Sequence, residues 1–181
     1  QDFGKYEPKI EDSGLHQDEW VYGELDYKGD IWNIEENDEH FDAIMCTEVF
    51  EHIPYPNETI NEFSRILKPG GKLILSAPYS SLPHFQPYFY YSGFSREWYE
   101  YILKKNNFKI NEIVPNGNYF NFLVQENIRS IRLHKSILVK ILYGIISIPK
   151  IIFDLFTSFF SKNYTLTFGY QIYATKEEIS K

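Results

Sequence analysis

Two carboxylates and an imidazole lie close together in Thr47-Glu48-Val49-Phe50-Glu51-His52, directly after the apolar run Phe41 to Thr47 (FDAIMCT). Polar groups crowded at the end of a buried strand suggest contacts to a polar ligand, because connecting segments carry function on a scaffold that holds them still. A second such place follows Ala77-Pro78-Tyr79, where His84, Tyr88, Tyr90 and Tyr91 occur in a loop dense in Pro and Tyr. Upstream, Gly29-Asp30-Ile31 brings one more carboxylate toward the same edge. Aromatic residues make up 18% of the chain, more than a core of this size needs, so some are expected to line a site.

The elements that would position these groups follow from periodicity. FDAIMCT is short, apolar and bounded by polar residues, which predicts a central strand buried on both faces. From Asn57, itself a candidate helix cap, Ile60, Phe63, Ile66 and Leu67 recur at helical spacing until Lys68-Pro69-Gly70-Gly71 stops the helix. Lys72 to Pro78 (KLILSAP) is then a second buried strand, and strand, helix, strand makes a βαβ unit with parallel strands. Ser95 is a plausible N-cap for a helix to about Asn106, with Trp98, Tyr101 and Ile102 on one face. Phe108 to Val114 alternates as a third strand. Thr165 to Lys176 alternates as the last, with Leu166, Phe168, Tyr170, Ile172 and Ala174 on one side. Residues 1–40 read as loop with short β runs near Phe3 and at Leu25 to Lys28. In such an open α/β sheet ligands bind at the carboxyl ends of the strands, so the loops after Thr47, after Pro78 and around Asp30 should share one crevice.

Between the third and last strands lies a helical insertion, residues 118–162. From Ser136 to Phe160 it is apolar except for Ser136, Lys140, Tyr143, Ser147, Lys150, Asp154 and Ser158, a narrow polar stripe along a helix that Pro149 should kink or split. Its charges argue against a membrane span. Two readings remain for 136–160: a helical pair capping the sheet or buried in a homodimer, or a helix lying in a membrane surface with Lys135, Lys140 and Lys150 near the headgroups.

Composition narrows the classes further. With 181 residues the chain is one domain's worth of sequence. A net charge of -7 disfavours nucleic acid as a partner. One cysteine, Cys46, excludes a disulfide framework or a Cys-based zinc cage and fits a cytoplasmic compartment, and the five histidines show no metal-ligand spacing. Asn57-Glu58-Thr59 and Asn163-Tyr164-Thr165 match glycosylation sequons in a sequence without a secretory signal.

The run GDIWNIEENDEHFDAIMCTEVFEHIPYPNETINEFSRILKPGGKLILSAP resembles the central part of class I S-adenosylmethionine-dependent methyltransferases, in the UbiE-like, methyltransferase type 11 group. Continuing through PHFQPYFYYSGFSREWYEYILKKNNFKINEIVPNGNYF, it resembles bacterial members associated with surface-polysaccharide and other small-molecule modification. The resemblance implies a Rossmann-like, doubly wound α/β fold whose mostly parallel sheet, in the order 3-2-1-4-5-7-6, has an antiparallel last strand. It implies S-adenosyl-L-methionine as cofactor: Asp2 on the ribose hydroxyls, Phe3 against the adenine, Asp30 on the adenine amino group, Ile31 packing on the ring, and Thr47 and Glu48 near the methionine part. The family's glycine-rich first strand does not occur here, so the chain is expected to be an N-terminally incomplete domain.

Methyl transfer is an in-line displacement that needs alignment, exclusion of water and, for a hydroxyl acceptor, a base. His52 and His84 are the candidate bases, with Glu48 behind them; the alternative for His52 is orienting the loop before Pro54. Tyr88, Tyr90 and Tyr91 could bind a sugar or aromatic acceptor, or simply pack a lid. Two other functions compete. One is a nucleotide-sugar epimerase or short-chain dehydrogenase, from the Tyr101-x-x-x-Lys105 spacing. The other is a non-catalytic interaction or membrane-associated scaffold with a lost cofactor loop.

Overall fold

The computed structural model describes residues 26–27 and 29–178. Asp2, Phe3 and the β run expected near Phe3 lie outside the described residues. Among the described residues, four strands and four helices follow one another as β1 (Phe41–Thr47), α1 (Pro56–Ile66), β2 (Leu67–Pro78), α2 (Arg96–Lys105), β3 (Phe108–Asn116), α3 (Tyr119–Leu133), α4 (Ile137–Ser158) and β4 (Gly169–Lys176), with a 3-10 turn at Phe50–His52. The sheet order is β1-β2-β4-β3. β1 and β2 are parallel, while β4 is antiparallel to both its neighbours, so three strands run one way and the last returns between them. This is the expected mixed α/β sheet, with the helical insertion leading into the antiparallel strand.

Each helix starts where local chemistry permits. α1 begins on Pro56 at its first position, where the missing N–H costs nothing, rather than on an Asn57 cap. Ile60, Phe63 and Ile66 on its inner face are fully buried, each contributing about 1.5–3 kcal/mol. α2 is capped as the sequence predicts, with Ser95 Oγ accepting from the Trp98 amide at 3.2 Å. Its buried face is Tyr99, Ile102 and Leu103, whereas Tyr101 is 66% exposed. Trp98 instead flanks that face, against Phe94 and Phe50.

β2 starts at Leu67, so Lys68-Pro69-Gly70-Gly71 belongs to the irregular entry of the strand rather than to a separate turn. The pairing with β1 shifts register there, between Phe41 and Ala43, and Gly70 supplies the positive φ of 79° that the irregularity needs.

Cross-strand layers define the core. Ile44, Leu73 and Ala174 pair in one row, and Cys46, Leu75 and Ile172 in the next. All six are buried and pack in one cluster with residues of α1 and α2. The opposite face carries the row Met45, Ile74 and Tyr173, which are 75%, 48% and 38% exposed. The expectation for β1 is therefore corrected: among the described residues it stands at one end of the sheet, with one face buried and one open. An unbroken apolar run cannot distinguish one covered face from two, because neighbouring elements decide it.

The insertion is a hairpin of α3 on α4. Asn118 caps α3 in a capping box, with Oδ1 accepting from the amides of Phe120 and Asn121 and the Asn121 side chain accepting from the Asn118 amide. Its Nδ2 also donates to the carbonyls of Ser158 and Ser161, tying the start of α3 to the end of α4. α4 runs through Pro149 as one helix instead of splitting. Its polarity is inverted: Ser147 and Asp154 are buried, and Asp154 accepts from Lys150 Nζ at 2.5 Å, while Ile141, Ile145, Ile146, Ile152, Phe153 and Phe156 are exposed. Among the described residues no helix is long and apolar enough to cross a membrane.

Candidate active site

The two histidines singled out in the sequence meet. Their ring centroids are 4.7 Å apart, edge to face, although His52 follows β1 and His84 lies in the loop after β2. That loop is closed at its base by backbone hydrogen bonds from the Ser81 amide to the Ser92 carbonyl and from the Phe94 amide to the Pro78 carbonyl, and the Tyr79 amide ties it to the Phe168 carbonyl just before β4. Gly93 allows this closure, because a Cβ there would stand 2.1 Å from the Tyr79 carbonyl oxygen. The same loop is fastened to the 3-10 turn by the amides of Tyr90 and Tyr91, which donate to the Glu51 carbonyl at 2.9 and 3.3 Å.

Glu51 is the centre of the arrangement. It is 1% exposed, and its Oε1 lies 3.5 Å from His52 Nε2 and 4.0 Å from His84 Nε2. Its Oε2 is buried with no hydrogen-bond partner. Burial pushes its carboxyl up to about 7; its own backbone amide and His84 oppose that rise, and the Glu48 charge adds to it. His52 Nδ1 is 2.7 Å from the Tyr88 carbonyl oxygen and His84 Nδ1 is 2.9 Å from that of Leu82. A carbonyl only accepts, so each neutral ring carries its proton on Nδ1 and turns the Nε2 lone pair toward Glu51. Burial, then His84, lowers the His52 pKa against the opposing Tyr88 bond, which favours the neutral form.

Glu48 sits at the end of β1 with φ 54°, a left-handed conformation uncommon for a side-chain-bearing residue. Its amide donates to the Ser76 carbonyl at 2.9 Å, and its Oε1 accepts from Ser76 Oγ at 2.7 Å. Glu48, Glu51, His52 and His84 line a cleft of about 350 Å³, with Ser81, Arg129 and residues at the facing ends of β3 and β4 among the rest of its wall.

Several candidate residues lie elsewhere. Asp30 and Ile31 are on the loop before β1, away from the cleft wall, and Ile31 packs against the core. Thr47 is exposed at the end of β1. The tyrosines also stand off the cleft wall: the Tyr88 carbonyl serves His52, Tyr90 is 46% exposed, and the Tyr91 hydroxyl donates to the Pro54 carbonyl at 3.1 Å. The loop-orienting alternative for His52 thus holds for Nδ1 and leaves Nε2 available. Ser81, whose Oγ is buried without a partner, and Arg129 of α3 had no signal in the sequence. Both reach the cleft only because the loop folds back and the insertion packs over the strand ends. Tyr101 and Lys105 are remote from it; Lys105 Nζ lies over the Tyr101 ring on the outer face of α2, which leaves the dehydrogenase reading without a site.

A polar cleft at the carboxyl ends of parallel strands defines the class of ligand-binding Rossmann-like α/β proteins. Comparison with known proteins narrows this. Residues 12–75 match the family model described as "Methyltransferase domain", which bears out the resemblance read from the sequence. A ubiquinone biosynthesis O-methyltransferase of Xanthomonas oryzae pv. oryzae is 56% identical over 36 residues, 20% of this chain and 15% of that protein. A mitochondrial one of Dictyostelium discoideum is 46% identical over 46 residues, 25% of this chain and 14% of that protein. The matched stretch spans about a seventh of these relatives. The fold is shared with a Listeria monocytogenes protein assigned as an S-adenosylmethionine dependent methyltransferase, at TM-score 0.51 and 13% identity over 86% of this chain and 72% of that one.

Proposed function

We propose that this chain belongs to an enzyme that transfers a methyl group from S-adenosyl-L-methionine to a small-molecule or saccharide-type acceptor. The observation that carries the reading is the convergence of His52 Nε2 and His84 Nε2 on a buried carboxylate in a cleft at the strand ends, in a chain matching a methyltransferase domain. The matched relatives are named as O-methyltransferases, which supports a hydroxyl acceptor.

The cofactor when bound supplies an electrophilic methyl group. Thr47 and Glu48, both exposed at the end of β1, would hold its methionine part, and the exposed Asp30 with the neighbouring Ile31 its adenine. The donor set suits it: carboxylates accept from hydroxyl and amino groups and set a negative field beside a sulfonium. Asp2 and Phe3 are proposed for the ribose and adenine on the resemblance alone. Within the cleft, a neutral His52 or His84 can take the acceptor proton on Nε2, and Glu51 stabilises the imidazolium that forms.

Calorimetric titration of S-adenosylhomocysteine into the full chain, beside an N-terminally extended form, tests the reading. Micromolar binding by the extended form supports it, and binding by neither folded sample overturns it in favour of the scaffold alternative. In the active form, His52→Ala and His84→Ala are expected to lower kcat by about 10²–10⁴-fold with S-adenosylhomocysteine affinity unchanged.

A further inference from the structure

We propose that Glu51, His52 and His84 form a binding site for one divalent transition-metal ion. One ligand atom from each lies within 4.8 Å of the other two, and the Glu51 Oε1 distances to the two Nε2 atoms are 3.5 and 4.0 Å. Tetrahedral ligands at zinc bond lengths stand about 3.4 Å apart, so small side-chain rotations complete the geometry. Both rings are already set for it. Each donates Nδ1–H to a backbone carbonyl, the arrangement that fixes the tautomer of a metal-binding histidine and presents its Nε2 lone pair.

The second observation is independent of this spacing. Glu51 is 1% exposed, yet its Oε2 has no hydrogen-bond partner. A buried carboxylate short of partners is costly, and a cation bound at Oε1 between the two rings would compensate its charge. Two imidazoles and one carboxylate suit Zn²⁺, Co²⁺, Fe²⁺ or Ni²⁺ better than Mg²⁺ or Ca²⁺, and three protein ligands beside an open cleft leave a coordination position for water or an acceptor oxygen. The site rests on ligand geometry and not on the methyl-transfer reading, and with both Nε2 atoms on the metal neither ring is free to act as the base.

Titration of the full chain with Zn²⁺ alone, read by calorimetry, and with Co²⁺, read by visible absorption, tests it. The expected result is one equivalent of each, with tetrahedral Co²⁺ bands and a rise in Tm on Zn²⁺ addition. Glu51→Gln and His84→Ala should each weaken binding by about a hundredfold or more while the metal-free Tm stays near that of the parent. Absence of saturable binding by the folded parent overturns the site. So does binding that persists unchanged in both variants. Because no cofactor is present, failure here is distinct from failure to bind S-adenosylhomocysteine.

A separate observation carries a second inference: we infer that the outer face of α4 docks on an anionic lipid surface. A helix of a water-exposed protein normally turns its apolar stripe inward. Here Ser147 and Asp154 face inward, while Ile145 and Ile146 are 64% and 75% exposed, and Phe156 and Phe159 are 61% and 85% exposed. Charge selects the occupant. Residues 126–162 hold six cations, Arg129, Arg132, Lys135, Lys140, Lys150 and Lys162, against two acids, Glu126 and Asp154, so this segment is net +4 in a chain of net charge -7. Asp154 pairs with Lys150 and Glu126 with Arg129, so the net charge of the segment rests on Arg132, Lys135, Lys140 and Lys162. Exposed Ile and Phe side chains flanked by cations suit the boundary between headgroups and acyl chains.

Flotation with vesicles of phosphatidylcholine alone, or of equal parts phosphatidylcholine and phosphatidylglycerol, tests this. The full chain should bind the anionic vesicles and release at high salt. Ile145→Glu combined with Phe156→Glu should lower binding by about tenfold or more, and Lys135→Glu with Lys162→Glu should do so without touching the apolar face. Absence of binding to the anionic vesicles overturns the inference. A concentration-dependent dimer abolished by the Ile145→Glu and Phe156→Glu pair, with no vesicle binding, assigns the face to a second copy of this chain.

Discussion

Glu62 shows what one side chain does when its partners are supplied by tertiary structure. Its Oε1 accepts from the Ile34 amide at 2.7 Å and from Arg65 Nη2 at 2.7 Å, and its Oε2 accepts from Arg65 Nε at 2.9 Å. Burial alone would raise its pKa, but the bonds from Arg65 and the Ile34 amide outweigh this and hold it below its ordinary value of 4.5. A group depressed in the folded state stabilises the fold above its unfolded pKa, and that stability is lost as pH falls through the folded one. Urea unfolding of Glu62→Gln at neutral pH should therefore show a loss of about 1.5–3 kcal/mol. The gap to the parent should close as pH is taken well below 4.5. A gap that does not change with pH would show that the carboxylate charge is not what matters.

At the scale of elements, two short stretches hold the cleft. The loop from Tyr79 to Phe94 delivers His84, and it closes only because Gly93 permits the close approach to the Tyr79 carbonyl. Gly93→Ala should cost at least about 1–3 kcal/mol in chemical denaturation, since a backbone atom cannot rotate away from the added methyl group. If Zn²⁺ binding depends on His84, it should weaken in the same variant. The hairpin of α3 and α4 delivers Arg129 to the cleft, and Asn118 joins its two ends. Asn118→Ala removes a helix cap and two bonds to α4, and hydrogen exchange of the α3 amides should accelerate by about 5–30-fold, corresponding to about 1–2 kcal/mol. Exchange confined to the sheet would contradict that role.

For the whole molecule, the two faces of the sheet should respond differently. Leu73 is fully buried between Ile44 and Ala174, so Leu73→Ala should destabilise by about 2–5 kcal/mol. Met45, paired with Ile74 on the open face and 75% exposed, should tolerate Met45→Ala within about 0.5 kcal/mol. Equal losses in thermal unfolding would mean that the open face is covered in solution.

What could be read from residue order alone was local. The βαβ unit, the Ser95 cap and the last two strands depend on spacing within one element, and spacing is what periodicity reports. The motif that matches a methyltransferase domain was legible for the same reason, since it is nearly contiguous. The closing of His84 onto His52 and Glu51 was not legible, although both histidines were singled out, because their separation along the chain carries no distance information. Nor was the face of α2: Tyr101 and Tyr99 are equally apolar in a helical pattern, and only the position of the sheet buries Tyr99. The open face of β1 and the outward apolar face of α4 belong to the same class of facts. Which side of an apolar segment meets protein is settled by what packs beside it, and that is a property of the folded chain.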